Sequence, residues 1–389
     1  GEYAVSETNR WKLELEQYIR QSEPDKAEKS KAWETAIGLQ DVDGLKTSAY
    51  LLETAKEHIE GKIDIGAAQK RIQTYYEEQA HRVEDVPDTK EADIVATRIA
   101  ALLGEQAFQF SPAEWQTIHR RLFEGVFHHA GMIRTYNITK KEWVLKGETV
   151  LYASAESIKA TLAYDFDMEK QFSYEGLSVT QAIRHISKFT SGIWQIHPFC
   201  EGNTRATAVF IIKYLKTFGF RIGNDVFADH SWYFRNALVR ANYNNFSAGI
   251  SATTEYLEQF FENLLLNRNH ELKNRYLHVE YIKPVQDDII QNANQNISKC
   301  QNGTLETTLH GTLGKAPDQE VNCTLEELVI LQIIVNEPAI TQKELARKSG
   351  KSERTIKRKT VDLQDKGYLR RLNGKRNGRW EVLINLPLK

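Results

Sequence analysis

Residues 195–208 of this 389-residue chain bring together side chains that could do phosphate chemistry; they read Q-I-H-P-F-C-E-G-N-T-R-A-T-A. Histidine titrates near neutral pH and can take a proton from an attacking hydroxyl, so His197 is a candidate general base. Mg²⁺ often uses one or two carboxylates and completes its shell with phosphates and water, which suits Glu201. Arg205 can bind phosphate oxygens in a planar, two-point way.

Two helical patterns flank this stretch. Residues 179–193 carry apolar side chains at helical spacing, and residues 206–218 are apolar along most of their length. The stretch between them is therefore predicted to be a loop that leads into the start of a buried helix. Free backbone N–H groups at a helix start bind phosphate oxygens, and Gly202 lets the backbone approach them closely.

The same stretch resembles the signature of the Fic (Fic/DOC) family, His-x-Phe-x-(Asp/Glu)-Gly-Asn-Gly-Arg-x-x-Arg. The matching positions hold His197, Phe199, Glu201, Gly202, Asn203 and Arg205. The resemblance implies that His197 is the catalytic base, that Phe199 anchors the loop and that Glu201 binds Mg²⁺. It further implies that Gly202, Asn203 and Thr204 form the anion cradle. Arg205 would then bind the distal phosphates.

Two positions depart from this signature. Thr204 stands where the family usually has a second glycine, and Ala208 stands where it has a second arginine. Ala208 lacks the guanidinium that would contact the γ-phosphate, and Thr204 adds a β-branched side chain to a tight turn. The nucleotide and the orientation of its phosphates therefore stay open.

Residues 1–90 are predicted to be helical and are strongly charged. They resemble the antitoxin-like region that accompanies many Fic domains and carries an inhibitory Ser/Thr-x-x-x-Glu-Gly/Asn motif. The nearest match is 39–44, with Leu39 in place of the hydroxyl residue and Asp43 in place of glutamate. We expect Asp43 to lack its usual partner, because Ala208 has no guanidinium. Either Asp43 and Gly44 still restrain the site, or they form a capping turn with Gly44 left-handed.

Residues 91–277 are predicted to form the Fic domain, which is mainly α-helical. Within it, alternating β-forming residues around Lys146-Gly147 predict a β-hairpin over 142–152. In the Fic family this position is the flap, an edge that pairs with the backbone of the target protein. The resemblance assigns that edge to Val150, Leu151 and Tyr152.

A later helical pattern covers residues 230–243, and the family resemblance suggests that this helix closes the nucleoside pocket. The resemblance suggests that Tyr233 and Asn236 lie near the nucleotide base. Aromatic residues at helical spacing are equally typical of a packed core, so both interpretations stay open.

Residues 278–322 lose periodicity and are predicted to be a linker. Residues 323–389 are predicted to form a winged helix-turn-helix domain, with three helices followed by a β-hairpin wing. Residues 324–389 carry 15 Lys/Arg against 8 Asp/Glu, whereas the rest of the chain carries 36 against 44. Such a basic module suggests a negatively charged partner. The candidate DNA-binding residues are Arg354, Lys357, Arg358, Lys359, Lys375 and Arg376. A protein-binding winged helix is the alternative.

Composition sets further bounds. The chain is 41% hydrophobic and 26% charged, which is ordinary for a soluble globular protein. Its three cysteines form no metal or redox motif, and no apolar run is long enough for a membrane span. We therefore expect a cytoplasmic protein without a membrane partner.

The leading hypothesis is a protein adenylyltransferase-like enzyme. It would transfer a nucleoside monophosphate from Mg²⁺-bound ATP, or another nucleoside triphosphate, to a Ser, Thr or Tyr hydroxyl of a target protein. DNA, through the C-terminal domain, and a second copy of the chain are further candidate partners. Two alternatives stay open: a transcriptional regulator with a degenerate, nucleotide-sensing Fic domain, and a Fic-type phosphotransferase that binds the nucleotide reversed.

Overall fold

The computed structural model describes residues 24–79, 89–220, 225–282, 323–372, 378–384 and 386. Over these ranges the chain is mainly α-helical, as predicted, and its strands form one two-stranded antiparallel hairpin. In the same ranges we find no helix long and apolar enough to cross a lipid bilayer. Residues 283–322 of the predicted linker lie outside the described residues, and so do Lys375 and Arg376 of the wing.

The described N-terminal residues, 24–79, contain three α-helices, α1 (Pro24–Gly38), α2 (Ala49–Ile59) and α3 (Ile65–Gln79). A 3-10 turn over Leu39–Asp43 continues α1 and stops at Gly44. Gly44 has the left-handed conformation predicted for it, with φ of 70°.

The central part, as described over 89–220 and 225–282, has seven α-helices: α4 (Lys90–Gly104), α5 (Pro112–Phe123), α6 (Ile158–Gln171), α7 (Val179–Ile196), α8 (Asn203–Thr217), α9 (Val226–Ala241) and α10 (Glu255–Leu266). α1 packs against α4 and α9, and the 3-10 turn that follows α1 packs against α9. Ser231 on α9 donates a hydrogen bond of 2.7 Å to the Gly38 carbonyl. The N-terminal turn is therefore anchored on the central helices.

α7 and α8 are the two helices predicted on either side of the loop. α7 begins with a capping box, in which Ser178 accepts from the Gln181 N–H and the Gln181 side chain accepts from the Ser178 N–H. Its apolar stripe is buried, and α8 is buried on nearly every side. The predicted loop that leads into a buried helix is confirmed.

The predicted β-strands of the flap are wrong, although the chain does reverse direction there. Lys146 and Gly147 have φ of 56° and 87°, and the Glu142 N–H donates to the Glu148 carbonyl at 2.9 Å. The residues on either side of this turn do not pair as β-strands, because Trp143–Leu145 form a 3-10 turn. Burial of Val144 and Leu145 in the core stabilises this turn.

The C-terminal part has the predicted winged-helix elements: α11 (Leu325–Asn336), α12 (Gln342–Ser349), α13 (Glu353–Asp365), β1 (Leu369–Leu372) and β2 (Arg379–Val382). Thr341 and Ser352 cap α12 and α13, each accepting a backbone N–H at 3.2 Å. β1 pairs antiparallel with β2, Leu369 opposite Val382. This hairpin is the stem of the wing.

The winged-helix part packs directly on the central part. The Val179 N–H donates to the Cys323 carbonyl at 3.2 Å, and Gln332 on α11 donates to the Leu265 carbonyl at 3.2 Å. A Cβ at Gly219 would lie 2.8 Å from a Val329 methyl group, so the backbone after α8 closely approaches α11. The two parts share one continuous apolar core.

Candidate active site

The loop between α7 and α8 is held in shape by its own side chains. His197 ends α7 in a left-handed conformation, with φ of 50°, and Gly202 precedes α8 with φ of 76°. The Asn203 side chain accepts from the Phe199 N–H at 3.0 Å and donates to the Phe199 carbonyl at 2.7 Å. Phe199 is fully buried, which fits an anchor. The Asn203 amide therefore shapes the loop, and a role in the anion cradle would fall to its backbone N–H.

The His197 imidazole is buried, and its neighbours set its tautomer. Nδ1 lies 3.0 Å from the Trp194 carbonyl oxygen, which can only accept, so Nδ1 carries the hydrogen and Nε2 keeps its lone pair. The Tyr152 ring stacks on the imidazole with centroids 4.1 Å apart. Burial, with a further contribution from the Lys140 ammonium, lowers the pKa of His197 well below its ordinary value. His197 is therefore neutral at pH 7, and Nε2 can accept a proton.

Arg134 clamps the backbone around His197. It is buried and donates from Nε to the His197 carbonyl at 2.6 Å and from Nη2 to the Ile196 carbonyl at 3.0 Å. Its backbone N–H donates to the Pro198 carbonyl at 2.8 Å. These bonds satisfy carbonyls at the end of α7 that have no partner within the helix. Sequence reasoning gave Arg134 no role, because its partners lie some 60 residues further along the chain.

His119 fixes the other half of the loop. Its Nδ1 accepts from the Gly131 N–H at 2.8 Å, so the hydrogen is on Nε2, which donates to the Glu201 carbonyl at 2.7 Å. Its ring stacks on Phe199 with centroids 3.8 Å apart. Burial lowers the pKa of His119 to about 4. The neutral ring at pH 7 offers the one donor and one acceptor that these two partners require.

Gly202 meets two conditions that exclude a side chain. Its φ is positive, and a Cβ would lie 2.4 Å from the Phe123 ring. Directly after it, the first N–H groups of α8 have no partner within the helix and lie at the positive end of the helix dipole. The backbone here has the chemistry that an anion-binding loop requires.

Thr204 fits the start of α8 without strain. Its φ is not positive, and its hydroxyl oxygen accepts from the Trp194 indole N–H at 3.0 Å. Both side chains are buried. The hydroxyl thus satisfies an indole donor that would otherwise be buried without a partner.

The Arg205 guanidinium is bound by side chains from the N-terminal part and from α4. Nη1 donates to Gln40 Oε1 at 3.0 Å, Nε lies 2.7 Å from Asp43 Oδ2, and Nη2 lies 3.6 Å from Glu91 Oε1. The Asp43 contact is an ion pair without hydrogen-bond alignment at Nε. The Phe123 ring lies 4.9 Å from the guanidinium carbon. The side chains of Gln40, Asp43 and Glu91 therefore contact the guanidinium that would bind phosphate.

A second guanidinium near Asp43 comes from α9. Ala208, which is fully buried, has no guanidinium to offer. Arg235 on α9 does: its Nη1 lies 3.1 Å from Asp43 Oδ1 and its Nη2 lies 2.9 Å from Glu142 Oε1. Asp43 thus lacks the guanidinium of position 208, as expected, but it contacts those of Arg205 and Arg235 instead. Arg235 lies between Tyr233 and Asn236, which the sequence analysis named, but was itself missed. Only the packing of α9 shows which of its side chains reaches Asp43.

Tyr233 and Asn236 are both buried on α9. The Tyr233 hydroxyl donates to the Tyr256 carbonyl at 3.2 Å, and Asn236 donates to Asn274 Oδ1 at 2.9 Å. These contacts are typical of the core alternative.

The three predicted flap residues have different surroundings. Leu151 is 83% exposed, whereas Val150 and Tyr152 are buried. The Leu151 carbonyl accepts from the Gln195 side chain at 3.0 Å, which ties the flap to α7. Leu151 alone of the three offers its side chain to an incoming chain, while Tyr152 covers His197.

Glu201 fits a metal ion held largely by a nucleotide. Its carboxylate is exposed, and its carbonyl is fixed by His119. In the described ranges, we find no group of three or more His, Cys, Asp or Glu side chains that could hold a metal ion. Mg²⁺ needs no such group when phosphates and water complete its shell.

The predicted DNA-binding side chains on α13 do not all share one face. Arg354 and Lys357 are exposed, and Arg358 is exposed with Nη2 3.7 Å from Glu175. Lys359 is buried, with Nζ 3.8 Å from Glu326 on α11. A DNA-binding side chain must be exposed, so the choice of Lys359 as a candidate is wrong: this position of α13 faces the core of the domain.

Comparison with known proteins identifies two domains. Residues 109–215 match the model of the Fic/DOC family, and residues 323–380 match the model of the MarR family. No curated protein matches the chain significantly. The chain therefore carries a Fic/DOC domain, which includes the loop between α7 and α8, and a MarR-type winged helix domain.

Proposed function

We propose that this protein is a nucleotidyltransferase. It moves AMP, or another nucleoside monophosphate, from a Mg²⁺-bound nucleoside triphosphate to a Ser, Thr or Tyr hydroxyl of a protein. The neutral, buried His197 with an unprotonated Nε2 carries this proposal. The Fic/DOC match supports the transferase class.

In the proposed reaction His197 Nε2 accepts the proton of the target hydroxyl. The hydroxyl oxygen attacks the α-phosphorus, a new O–P bond forms, and the bond to the β-phosphate oxygen breaks. Pyrophosphate leaves with that electron pair. The N–H groups at the start of α8 stabilise the negative charge that develops on the α-phosphate. Glu201 would hold Mg²⁺, which neutralises phosphate charge when bound.

The N-terminal part restrains this reaction in our proposal. Arg205 is the group expected to bind the distal phosphates, yet Gln40, Asp43 and Glu91 contact its guanidinium. A triphosphate must displace Asp43 before it reaches Arg205. Asp43 thus acts as the inhibitory residue, with an aspartate in the place of the family's glutamate.

The winged helix gives the protein a second binding activity in this proposal. Arg354, Lys357 and Arg358 are exposed on α13, the helix that would enter the major groove of DNA. The MarR match supports DNA as the partner.

Label transfer with α-labelled and γ-labelled ATP, and with other α-labelled nucleotides, tests the reaction. Wild-type protein and Asp43→Asn are compared with His197→Ala, and exposed His128→Ala is the matched control. We expect transfer of the α-label that His197→Ala abolishes and His128→Ala retains. Transfer of the γ-label alone would mean phosphorylation. No transfer in any variant, with candidate targets added, would favour a nucleotide-sensing regulator.

A further inference from the structure

The side chain of Arg235 reaches the same carboxylate as Arg205. Arg235 Nη1 lies 3.1 Å from Asp43 Oδ1 and also donates to the Val42 carbonyl at 3.0 Å. Arg205 Nε lies 2.7 Å from the other oxygen, Oδ2. One planar anion is therefore held between two guanidinium groups from different helices.

A carboxylate in this position shows where another anion could lie. Guanidinium groups bind carboxylates and phosphates with the same donor geometry, and both ligands are oxyanions. When Asp43 leaves, the space between Arg205 and Arg235 has the charge and donors to hold phosphate oxygens. Ala208, fully buried in α8, supplies no such donor.

Two further polar groups interact electrostatically with Arg235 and lack a side-chain partner among the described residues. The Tyr152 hydroxyl is buried and has no hydrogen-bond partner among the described residues. Lys140 forms no ion pair with the described part of the chain, although the charges of Arg235, Asp43 and Glu142 all act on it. A buried hydroxyl without a partner is costly, so it points to a ligand that completes it.

We propose that Arg235 binds the phosphate chain of the nucleotide together with Arg205, and so supplies the second guanidinium that Ala208 lacks. Lys140 and the Tyr152 hydroxyl assist at the same anion site. Asp43 occupies this site in the structure and must move before phosphate enters. The inference rests on the proposed function for its ligand, a nucleoside triphosphate, but anion binding can be measured without transfer.

Binding of ATP, AMP and inorganic tripolyphosphate by isothermal titration calorimetry tests the inference in the full chain. The parent is Asp43→Asn, which leaves both arginines in place, and Arg235→Gln is added to it. We expect ATP and tripolyphosphate to bind about 10- to 100-fold more weakly once Arg235 is lost, since bonds to a charged group are strong. AMP, which lacks the distal phosphates, should change less.

Arg235→Gln leaves the buried Glu142 without its partner, so it could destabilise the fold. The double change Arg235→Gln and Glu142→Gln in the Asp43→Asn parent avoids this, because two amides can bond to each other. Arg184→Gln, which removes an exposed arginine paired with Glu258, is the matched control.

Unchanged ATP and tripolyphosphate affinity in the folded double variant would overturn the inference. Equal weakening for AMP and ATP would also overturn it, since the effect would not lie at the distal phosphates. Arg235-dependent binding without label transfer would uphold the anion site and reject the proposed transferase.

Discussion

Asp43 lies between Arg205 and Arg235, with one carboxylate oxygen 2.7 Å from Arg205 and the other 3.1 Å from Arg235. The contact joins the N-terminal turn to α8 and α9, and the turn is anchored there by Ser231 and by burial of Leu39. Because Asp43 itself is partly exposed, its side chain can give way to an anion without unfolding the turn.

Asp43→Asn should raise transfer of the α-label about tenfold or more, because neutral asparagine competes less well with a triphosphate for two guanidinium groups. Initial rates at subsaturating ATP provide the measurement. Asp41→Asn makes the same charge change in the same turn at a carboxylate that contacts neither arginine. Equal activation by both variants would show that the inhibition depends on the charge of the turn as a whole and not on the contact of Asp43 with the two arginines.

The rate of transfer should stay level as the pH falls through 6.5. His197 acts as a base only when neutral, and its pKa lies well below the ordinary value of 6.5 because burial disfavours the imidazolium. The neutral form therefore persists at pH values where an exposed histidine would be protonated. The pH profile of kcat/KM for Asp43→Asn checks this. A half-loss of rate at pH 6.5 would contradict it.

The free energy of unfolding should depend on His119 below neutral pH. The pKa of His119 is about 4 when folded and about 6.5 when unfolded, so the unfolded chain binds more protons between these values. Stability is then lost as the pH falls from about 6.5 to about 4, by about 3 kcal/mol from this residue.

Urea unfolding at pH 7 and pH 4.5 measures this loss in wild type and in His119→Gln. The variant should be less stable at pH 7 but lose less stability on acidification, because glutamine does not titrate. An identical loss in both proteins would rule out a contribution from His119.

Gly202→Ala should destabilise the protein more than Gly249→Ala does. Both glycines have positive φ, which costs alanine about 1–2 kcal/mol, but a Cβ at Gly202 would also meet the Phe123 ring at 2.4 Å. Overpacking of this kind adds about 1–3 kcal/mol. A Cβ at Gly249 meets nothing within 4 Å, which isolates the backbone cost. Thermal unfolding of the two variants should therefore differ, and equal melting temperatures would contradict the packing argument.

Arg354→Ala and Lys357→Ala should each weaken binding to random-sequence duplex DNA and lower the salt dependence of the affinity. Each lost phosphate contact should reduce the slope of log K against log salt by about 0.9. Lys359→Met should leave that slope unchanged, since Lys359 is buried against Glu326. Fluorescence anisotropy at several salt concentrations measures all three. Unaltered slopes for the first two variants would favour a protein partner for the winged helix.

Much of the fold could be predicted from the sequence, because its signals are local. Hydrophobic periodicity predicted α7 and α8, the three winged-helix helices were predicted within 323–389, and Gly44 was predicted to be left-handed. The Fic signature predicted the loop because its residues are close in the chain and interact with one another, as Asn203 does with Phe199.

The charge environment of the loop was decided by tertiary structure. Arg134, His119 and Arg235 each come from a helix or segment distant in sequence, and no local pattern distinguishes them from other arginines and histidines. The prediction of β-strands in the flap was wrong because burial of Val144 and Leu145 in the core stabilises the 3-10 turn more than their β-propensity favours a strand. Ala208 removes a guanidinium from α8, and only the packing of α9 against the N-terminal turn brings Arg235 to Asp43. Charges at one site interact through space, and the sequence alone does not specify those distances.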